Sequence, residues 1–527
     1  MSEIKKVTAE TVREAYETLR KYKEGKVSVE NRIIENEQWW KMRQNGDGDT
    51  APSGWLFNSI VNKHADAMDN LPEVCCLPRE RGDTDSARLM SQVLPVVLEE
   101  NSFENTYSEC WYDKLKSGTA CYGVFWNTAL DRGAGNVDIR RVDILNLFWE
   151  PGISDIQSSK NIFHVELCDN ELLRMKYPAL SESLGAQPFD TSKYIYDDAV
   201  DTSDKSAVVD WYYKKYSDRR EVLHFCKFCN GVLLYASEND PVYEKRGFYD
   251  HGKYPFFFDK LYSVQGSPCG FGVIDMMKGT QAQIDALGTA IMNNARMAAN
   301  RRFFVRADGS INEKEFADWR QPFVHYQGSG DPNSSIMPIE MPLLSGVYVS
   351  ILNNKIEELK ETSGNRDFSQ GIAGKGVTAA AAIEALQEAG SKTSRDMIYA
   401  SYRVFEGICS LVIKLIKQFY TVPRCFRIAG ENGALSFIYC GSDDLLRKNG
   451  GEPVFDIKVK AGKKSAFSRA SINELACQLY NMGIFSPEFS QQAQLCLSMM
   501  DFEGKDDILN KIRSAKATEG QYDNSNL

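Results

Sequence analysis

The sequence is short of the residues on which most catalysis and most tight nucleic-acid contacts depend. It has five histidines in 527 residues, little material for general-base chemistry, and no nucleophile, base and orienting group fall into one set. Long apolar runs are missing too. No stretch approaches the roughly eighteen consecutive apolar residues of a membrane span, so no membrane partner is expected. The opening Met1-Ser2-Glu3-Ile4-Lys5-Lys6 lacks the apolar core of a signal peptide. Clustered Lys and Arg are absent, and the net charge is −10. A protein that grips nucleic acid by neutralising phosphates is usually basic, at least in patches. If DNA is a partner, the contact is weak and sliding. The thirteen cysteines are scattered and odd in number, which suits a reducing cytosol better than a disulfide framework.

Several motifs fall short of the chemistry they suggest. Gly371-Ile372-Ala373-Gly374-Lys375-Gly376 invites a phosphate-loop reading. Ser369 stands where that motif needs its first glycine, Gly376 where it needs a hydroxyl, and no strand precedes. A flexible loop is the better reading. Cys226-Lys227-Phe228-Cys229 resembles half of a zinc site, but zinc wants four ligands and no second such pair exists. His224 and His251 are the nearest candidates. On a straight strand Cys226 and Cys229 face opposite sides, so an ordinary hairpin is expected and no metal or cofactor. Arg81-Gly82-Asp83 reads as a chance tripeptide in a loop, His64 as a packed helix residue. Glu357-Glu358 and Asp443-Asp444 read as solvated carboxylates.

What the sequence does have is one unusual stretch, Ser363 to Tyr420. It opens with a glycine-rich loop through Gly376. A helical pattern then starts at Thr378 with Ala379 to Ala382, and alanine lets another backbone come close. Gly390-Ser391 marks a bend. Ile398, Tyr402, Phe405, Cys409, Val412, Ile416 and Phe419 recur at three- and four-residue steps, one helical face. Straight, the pattern spans roughly 60 Å, which reads as a strut with a loop at one end.

The length suggests roughly three or four domains. Residues 1–45 read as polar helices with a capping box of Thr11 and Glu14. Trp55 to Leu71 makes an amphipathic helix stopped by Pro72, and a further helix is expected from Asp83 to Lys116. From Tyr122 the pattern turns to short β-branched and aromatic strands: 123–126, 137–139, 161–165, 208–213 and 255–258. Two more, 222–226 and 232–235, flank Asn230-Gly231, a strong hairpin signal. Residues 1–268 therefore read as one α+β domain. A helix follows from about Ile274 to Asn300 and another from Gly346 to Thr362. They bracket a β-rich insert of about 45 residues that can hardly bury a core alone and is expected to pack against copies of itself. Strands around Phe426, Phe437 and Phe455 are expected to return to the first domain's sheet. Residues 463–515 read as helical, with turns at Met482-Gly483 and Glu503-Gly504, and the tail from Ala517 as disordered.

In this order of parts the chain resembles the portal proteins of tailed bacteriophages. The carriers are the Trp55–Pro72 helix, the helix–insert–helix at 274–362 and the run Gly364-Asn365 … Gln370-Gly371 … Gly376-Val377-Thr378-Ala379-Ala380-Ala381-Ala382-Ile383 … Leu386-Gln387-Glu388-Ala389-Gly390-Ser391-Lys392. Leu479-Tyr480-Asn481-Met482-Gly483-Ile484-Phe485-Ser486 adds to them. The resemblance covers nearly the whole length and rests on the order of parts. It implies an α+β portal-protein fold with wing, two-helix stem, small β-rich clip, long tunnel/wing helix and helical crown. By that analogy the wing is 1–268 with 377–462, the stem 269–300 and 346–363, the clip 301–345, the tunnel loop 364–376 and the crown 463–527 with the tail.

The resemblance further implies a structural protein, not an enzyme: a ring of roughly twelve copies at one capsid vertex, the head-tail connector. DNA enters through it during genome packaging and leaves through it at ejection. Implied partners are further copies, double-stranded DNA, the terminase large subunit, major capsid and scaffolding proteins, and a head-completion or tail adaptor protein. The implied location is the virion, and the host cytoplasm during assembly. Arg366, Gln370, Gly371, Gly374, Lys375 and Gly376 would face DNA in the tunnel loop, and Lys278, Arg296 and Lys355 are candidates along the stem channel. The alternatives are another virion component, such as a capsid or tail adaptor protein, and a nucleic-acid processing ATPase, against which the missing phosphate-loop elements speak.

Overall fold

The computed structural model describes residues 6–42, 52–180, 204–217, 220–300, 302–306, 311–327, 336–339, 345–364, 392–429, 435–445, 453–463, 478, 480–483 and 497. Contacts divide the chain into two units, Met1–Ala65 with Val74–Lys458, and Asp66–Glu73 with Val459–Leu527. The helices are α1 Ala9–Trp40, α2 Trp55–Met68, α3 Thr84–Glu100, α4 Phe103–Ser117, α5 Asn170–Lys176, α6 Val273–Ala299, α7 Glu313–Ala317, α8 Gly346–Ser363 and α9 Lys392–Phe419. The strands are β1 Asn70–Pro78, β2 Thr119–Asn127, β3 Asn136–Arg141, β4 Leu147–Trp149, β5 Asn161–Asp169, β6 Lys205–Ser217, β7 Arg220–Cys229, β8 Val232–Ala236, β9 Phe256–Lys260, β10 Tyr262–Ser263, β11 Gly270–Phe271, β12 Phe303–Val305, β13 Ile336–Pro338, β14 Arg424–Ala429, β15 Leu435–Cys440 and β16 Phe455–Lys463. The mixture is the α+β class expected.

The first unit holds an antiparallel five-stranded sheet, order β4-β5-β6-β7-β8. Strand alternation gives it two apolar faces. Helix α1 covers one: Val12, Ala15, Leu19 and Tyr22, at helical spacing, pack on Phe148, Phe163, Val209, Trp211 and Phe228. Trp211 stacks on Tyr213 at 4.1 Å between ring centroids. Each such side chain, fully buried, contributes about 1.5–3 kcal/mol. On the other face Leu173 and Leu180 meet Val208 and Cys229. Asn230 and Gly231, at φ 47° and 82°, turn β7 into β8, since a two-residue turn of this kind needs positive φ twice. Asn230-Gly231 thus makes the expected hairpin.

A three-stranded sheet, order β3-β2-β9, carries α4 and α9. Helix α9 departs from the strut reading. Ile398, Tyr402, Phe405, Cys409, Val412 and Ile416 are buried as expected, but so are Met397, Ile408, Leu411, Ile413 and Leu415. Helix α9 is therefore a core helix covered on most sides. Phe405 meets Phe103 at 5.1 Å, and Phe419 stacks on Trp126 at 4.7 Å. Residues 378–391, with the alanine run and the proposed bend, lie outside the described residues.

Four local expectations change. α1 is one helix, and its capping box is Thr8 with Thr11, three residues earlier than Thr11 with Glu14. The helix expected from Asp83 to Lys116 is two, broken at Asn101 and at Ser102, which takes φ 49°. The helix expected to reach Leu71 and stop at Pro72 ends at Met68, and Leu71 and Pro72 lie in strand β1. Among the described residues β14 and β15 pair with each other and join no larger sheet. The chain before β16 does return to the first domain: Arg79 N–H donates to the Val454 carbonyl at 3.2 Å. In the second unit Met482 N–H donates to Gln478 at 2.9 Å, and Gly483, at φ 71°, closes that turn, as the Met482-Gly483 signal predicts.

The described cysteines are all free. Eight are buried, Cys75 and Cys168 are half-buried, and Cys425 is exposed. Burial raises the thiol pKa of Cys76, Cys226 and Cys440 to about 12.

Candidate assembly site: the paired helices and their insert

The helix–insert–helix begins on a firmly held root. Gly272 N–H donates to Asp275 Oδ2 at 2.9 Å and caps α6. Val273, Ile274, Met277 and Ile284 are buried. Polar ties surround them: Asn36 Nδ2 donates to Asp275 Oδ1 at 2.9 Å, Lys278 pairs with Glu35 at 2.9 Å, and Ser53 Oγ donates to Asp285 at 2.6 Å. The returning helix α8 packs on α6 and buries Leu359 and Ser363 at its body end.

Past Asp285 the setting changes. From residue 286 to the end of α6, and in α8 before Leu359, no described residue is buried. Apolar side chains nonetheless continue. Met292, Met297, Val347, Tyr348, Val349 and Ile351 are exposed. The expected face of Leu287, Ile291, Leu352 and Ile356 is half-buried between the two helices.

The insert shows the same mismatch more strongly. β12 and β13 pair antiparallel, Phe304 opposite Met337. Asn312 caps the short α7 through Lys314 N–H at 3.2 Å, and Phe303 meets Phe316 edge-on at 4.9 Å. The segment at Phe323 to Tyr326, expected as a strand, contributes one isolated bridge, Ile311 to Tyr326. No described residue of the insert is buried. Trp319 is 86% exposed, Phe323 76% and Phe304 65%. Large contiguous apolar exposure marks an interaction surface.

Among the charged candidates, Lys278 is engaged by Glu35 and Lys355 by Glu358 at 2.7 Å. Arg296 is exposed near the end of α6 and makes no ion pair among the described residues. Arg366, Gln370, Gly371, Gly374, Lys375 and Gly376 lie outside the described residues. The structure does not bring Cys226 and Cys229 together: Cys226 joins the α1 side of the sheet and Cys229 the α5 side. His64 stacks on Tyr112 at 3.9 Å and bonds Ser108 at 2.9 Å; burial lowers its pKa. Glu357 and Glu358 are not merely solvated, since Lys360 and Lys355 pair with them. Asp444 accepts from Gly441 N–H at 2.8 Å. Asp83 is buried in a 3-10 turn and accepts from Val454 N–H at 3.2 Å.

The helix pair is rooted in a globular body and ends in an insert none of whose described residues is buried. A family model described as phage P22-like portal protein matches residues 64–525. The chain belongs to that family. No curated protein matches it. Portal proteins are structural components of the phage capsid, and the chain is one of them. No helix among the described residues is long and apolar enough to cross a membrane.

Sequence reasoning placed the helix–insert–helix but not its grip on the body. The missed residues are Asn36, Ser53 and Asp285. Their signal was weak: Asn36 sits on the buried stripe of α1, three residues after Ile33.

Proposed function

We propose that the chain assembles into a ring of about twelve copies at one capsid vertex. DNA passes through this channel during packaging and ejection. The observation that carries the reading is the exposed apolar surface of the helix–insert–helix beyond Asp285. A segment that cannot bury these side chains within one chain buries them against another. A ring needs one face of a subunit to meet a different face of its neighbour, and α6 with α8 offers two.

In this reading residues 269–300 and 346–363 are the stem and 301–345 the clip. The clip docks the terminase during packaging and a head-completion or tail adaptor afterwards. Residues 1–268 with 377–462 form the wing, 364–376 the tunnel loop and 463–527 the crown. A net charge of −10 repels phosphate, so DNA slides. Arg366 and Lys375 hold it transiently, with Arg296 a further cation along the stem.

Electron microscopy of the purified full chain, with its mass in solution, tests the reading. Rings with a hole of roughly 20 Å or more, wide enough for duplex given its groove dimensions, support it. A compact dimer, or a monomer that stays so with capsid and scaffolding protein present, overturns it. Lys375→Ala is expected to leave rings intact and change packaged length or DNA retention. Unchanged length and retention remove Lys375 from the role.

A further inference from the structure

The last turn of α4 touches two neighbours at once. On one side its backbone meets the root of α6. A Cβ on Gly272 would lie 2.7 Å from both the Leu115 and Lys116 carbonyl oxygens, and one on Gly118 would run into the Phe271 backbone. Only glycine lets the two chains pass this closely. Asn36 Nδ2 spans the crossing, donating to the Lys116 carbonyl at 3.1 Å and to the α6 cap Asp275 at 2.9 Å.

On the other side the same turn reaches α9. Lys114 is fully buried. Its ammonium donates to Asp259 Oδ1 at 2.8 Å, to the Met397 carbonyl at 3.1 Å and to Ser401 Oγ at 2.7 Å. Ser401 Oγ in turn donates to Asp259 Oδ2 at 2.5 Å. All three N–H groups of the ammonium and both carboxylate oxygens are used. A buried ion pair is weak evidence for stability, because well-packed apolar replacements often do as well. What it supplies here is position. Met397 and Ser401 are one helical turn apart, and a single register of α9 sets both the Met397 carbonyl and the Ser401 hydroxyl against the one ammonium.

We propose that the last turn of α4 couples the root of α6 to α9, with Lys114 as the positioning residue that locks the register of α9. A shift of α6 at Gly272 pushes the Leu115 and Lys116 backbone. Lys114 rides on that turn and carries the shift to Met397 and Ser401. Load on the insert, which α6 carries, thereby reaches the first turns of α9. The inference does not rest on the ring.

Hydrogen exchange of the full chain in a double-mutant cycle tests it. Gly272→Ala forces the crossing apart. It is expected to raise exchange by about tenfold both at the α6 root and in α9 around residues 397–404. With Ser401→Ala already present, Lys114 keeps only the Met397 carbonyl on α9, and Gly272→Ala is expected to raise exchange at the root as before but in α9 by about threefold at most. Ser401→Thr keeps the hydroxyl and restores the coupled response. An α9 that ignores Gly272→Ala, or responds equally in both backgrounds, overturns the proposal. Should Gly272→Ala fail to fold, Asp275→Asn weakens the same root without adding an atom to the crossing, and the cycle is read the same way.

Discussion

Phe228 in β7 and Phe323 in the insert are the same side chain in opposite settings. Phe228 is fully buried under α1, whereas 76% of the surface of Phe323 is open. The contrast extends to their surroundings. Around Phe228, α1 and five strands bury a continuous apolar cluster within one copy. Around Phe323, the described short elements are held by the β12–β13 pairing, the Asn312 cap, the Glu315–His325 pair at 2.7 Å and the edge-on contact of Phe303 with Phe316. The first region buries its large apolar side chains within one copy; the second leaves them open to solvent. Stability and assembly should therefore separate by mutation.

The largest effects belong to the body. Phe228→Ala should cost about 3–5 kcal/mol, and Lys114→Ala a similar 3–5 kcal/mol, because it strands the Asp259 carboxylate in the core. Denaturant unfolding of the full chain reads both. If either costs less than the insert variants below, the contrast is lost.

Acid sharpens the same comparison. Burial, with Lys414 and Lys253 nearby, lowers the His251 pKa to about 3, and burial lowers those of His64, His164 and His224. An unfolded imidazole takes a proton near pH 6.5. The unfolded chain therefore binds more protons below that pH, and the contribution of His251 is complete above 6.5 and lost as pH falls toward 3. By pH 5 the loss from His251 is up to about 2 kcal/mol. His251→Asn should flatten the slope of stability against pH over that window, and an unchanged slope refutes the assignment.

The insert variants come next. Trp319→Ala with Phe323→Ala should change unfolding of the isolated chain by less than about 0.5 kcal/mol while lowering the fraction of rings in solution. A loss of several kcal/mol instead would mean that the insert has its own core. Smallest of all, Lys355→Ala breaks only the pair with Glu358 on α8 and should cost about 0.3 kcal/mol of helix stability, within error by unfolding and without effect on ring number.

Much of this contrast was legible in the sequence. Aromatic runs in the strands, Asn230-Gly231 and the two helices around a short insert all have local causes, so local reading found them. What failed depended on distant partners. Ser102 takes positive φ without being glycine, so the α3–α4 break carried no signal. Pro72 ended the wrong element because it sits at the start of a strand, where proline also fits. The burial of α9 on most sides comes from sheet and helix neighbours far away in sequence. Lys114 did leave a trace: it continues the stripe Phe103, Tyr107, Cys110 and Trp111, where a lysine is out of place unless paired. The helix–insert–helix was found, but its root was not, because Asn36, Ser53 and Asp285 meet only through the fold.

Cys425 has a practical consequence. It is the one exposed cysteine among the described residues, on β14 across from Tyr439, while the buried thiols are both shielded and held protonated. With the half-buried Cys75 and Cys168, and Cys477 and Cys496, which lie outside the described residues, changed to serine, a maleimide dye at neutral pH should label each copy once. Energy transfer between such dyes would then report, in solution and in real time, the moment one copy finds another.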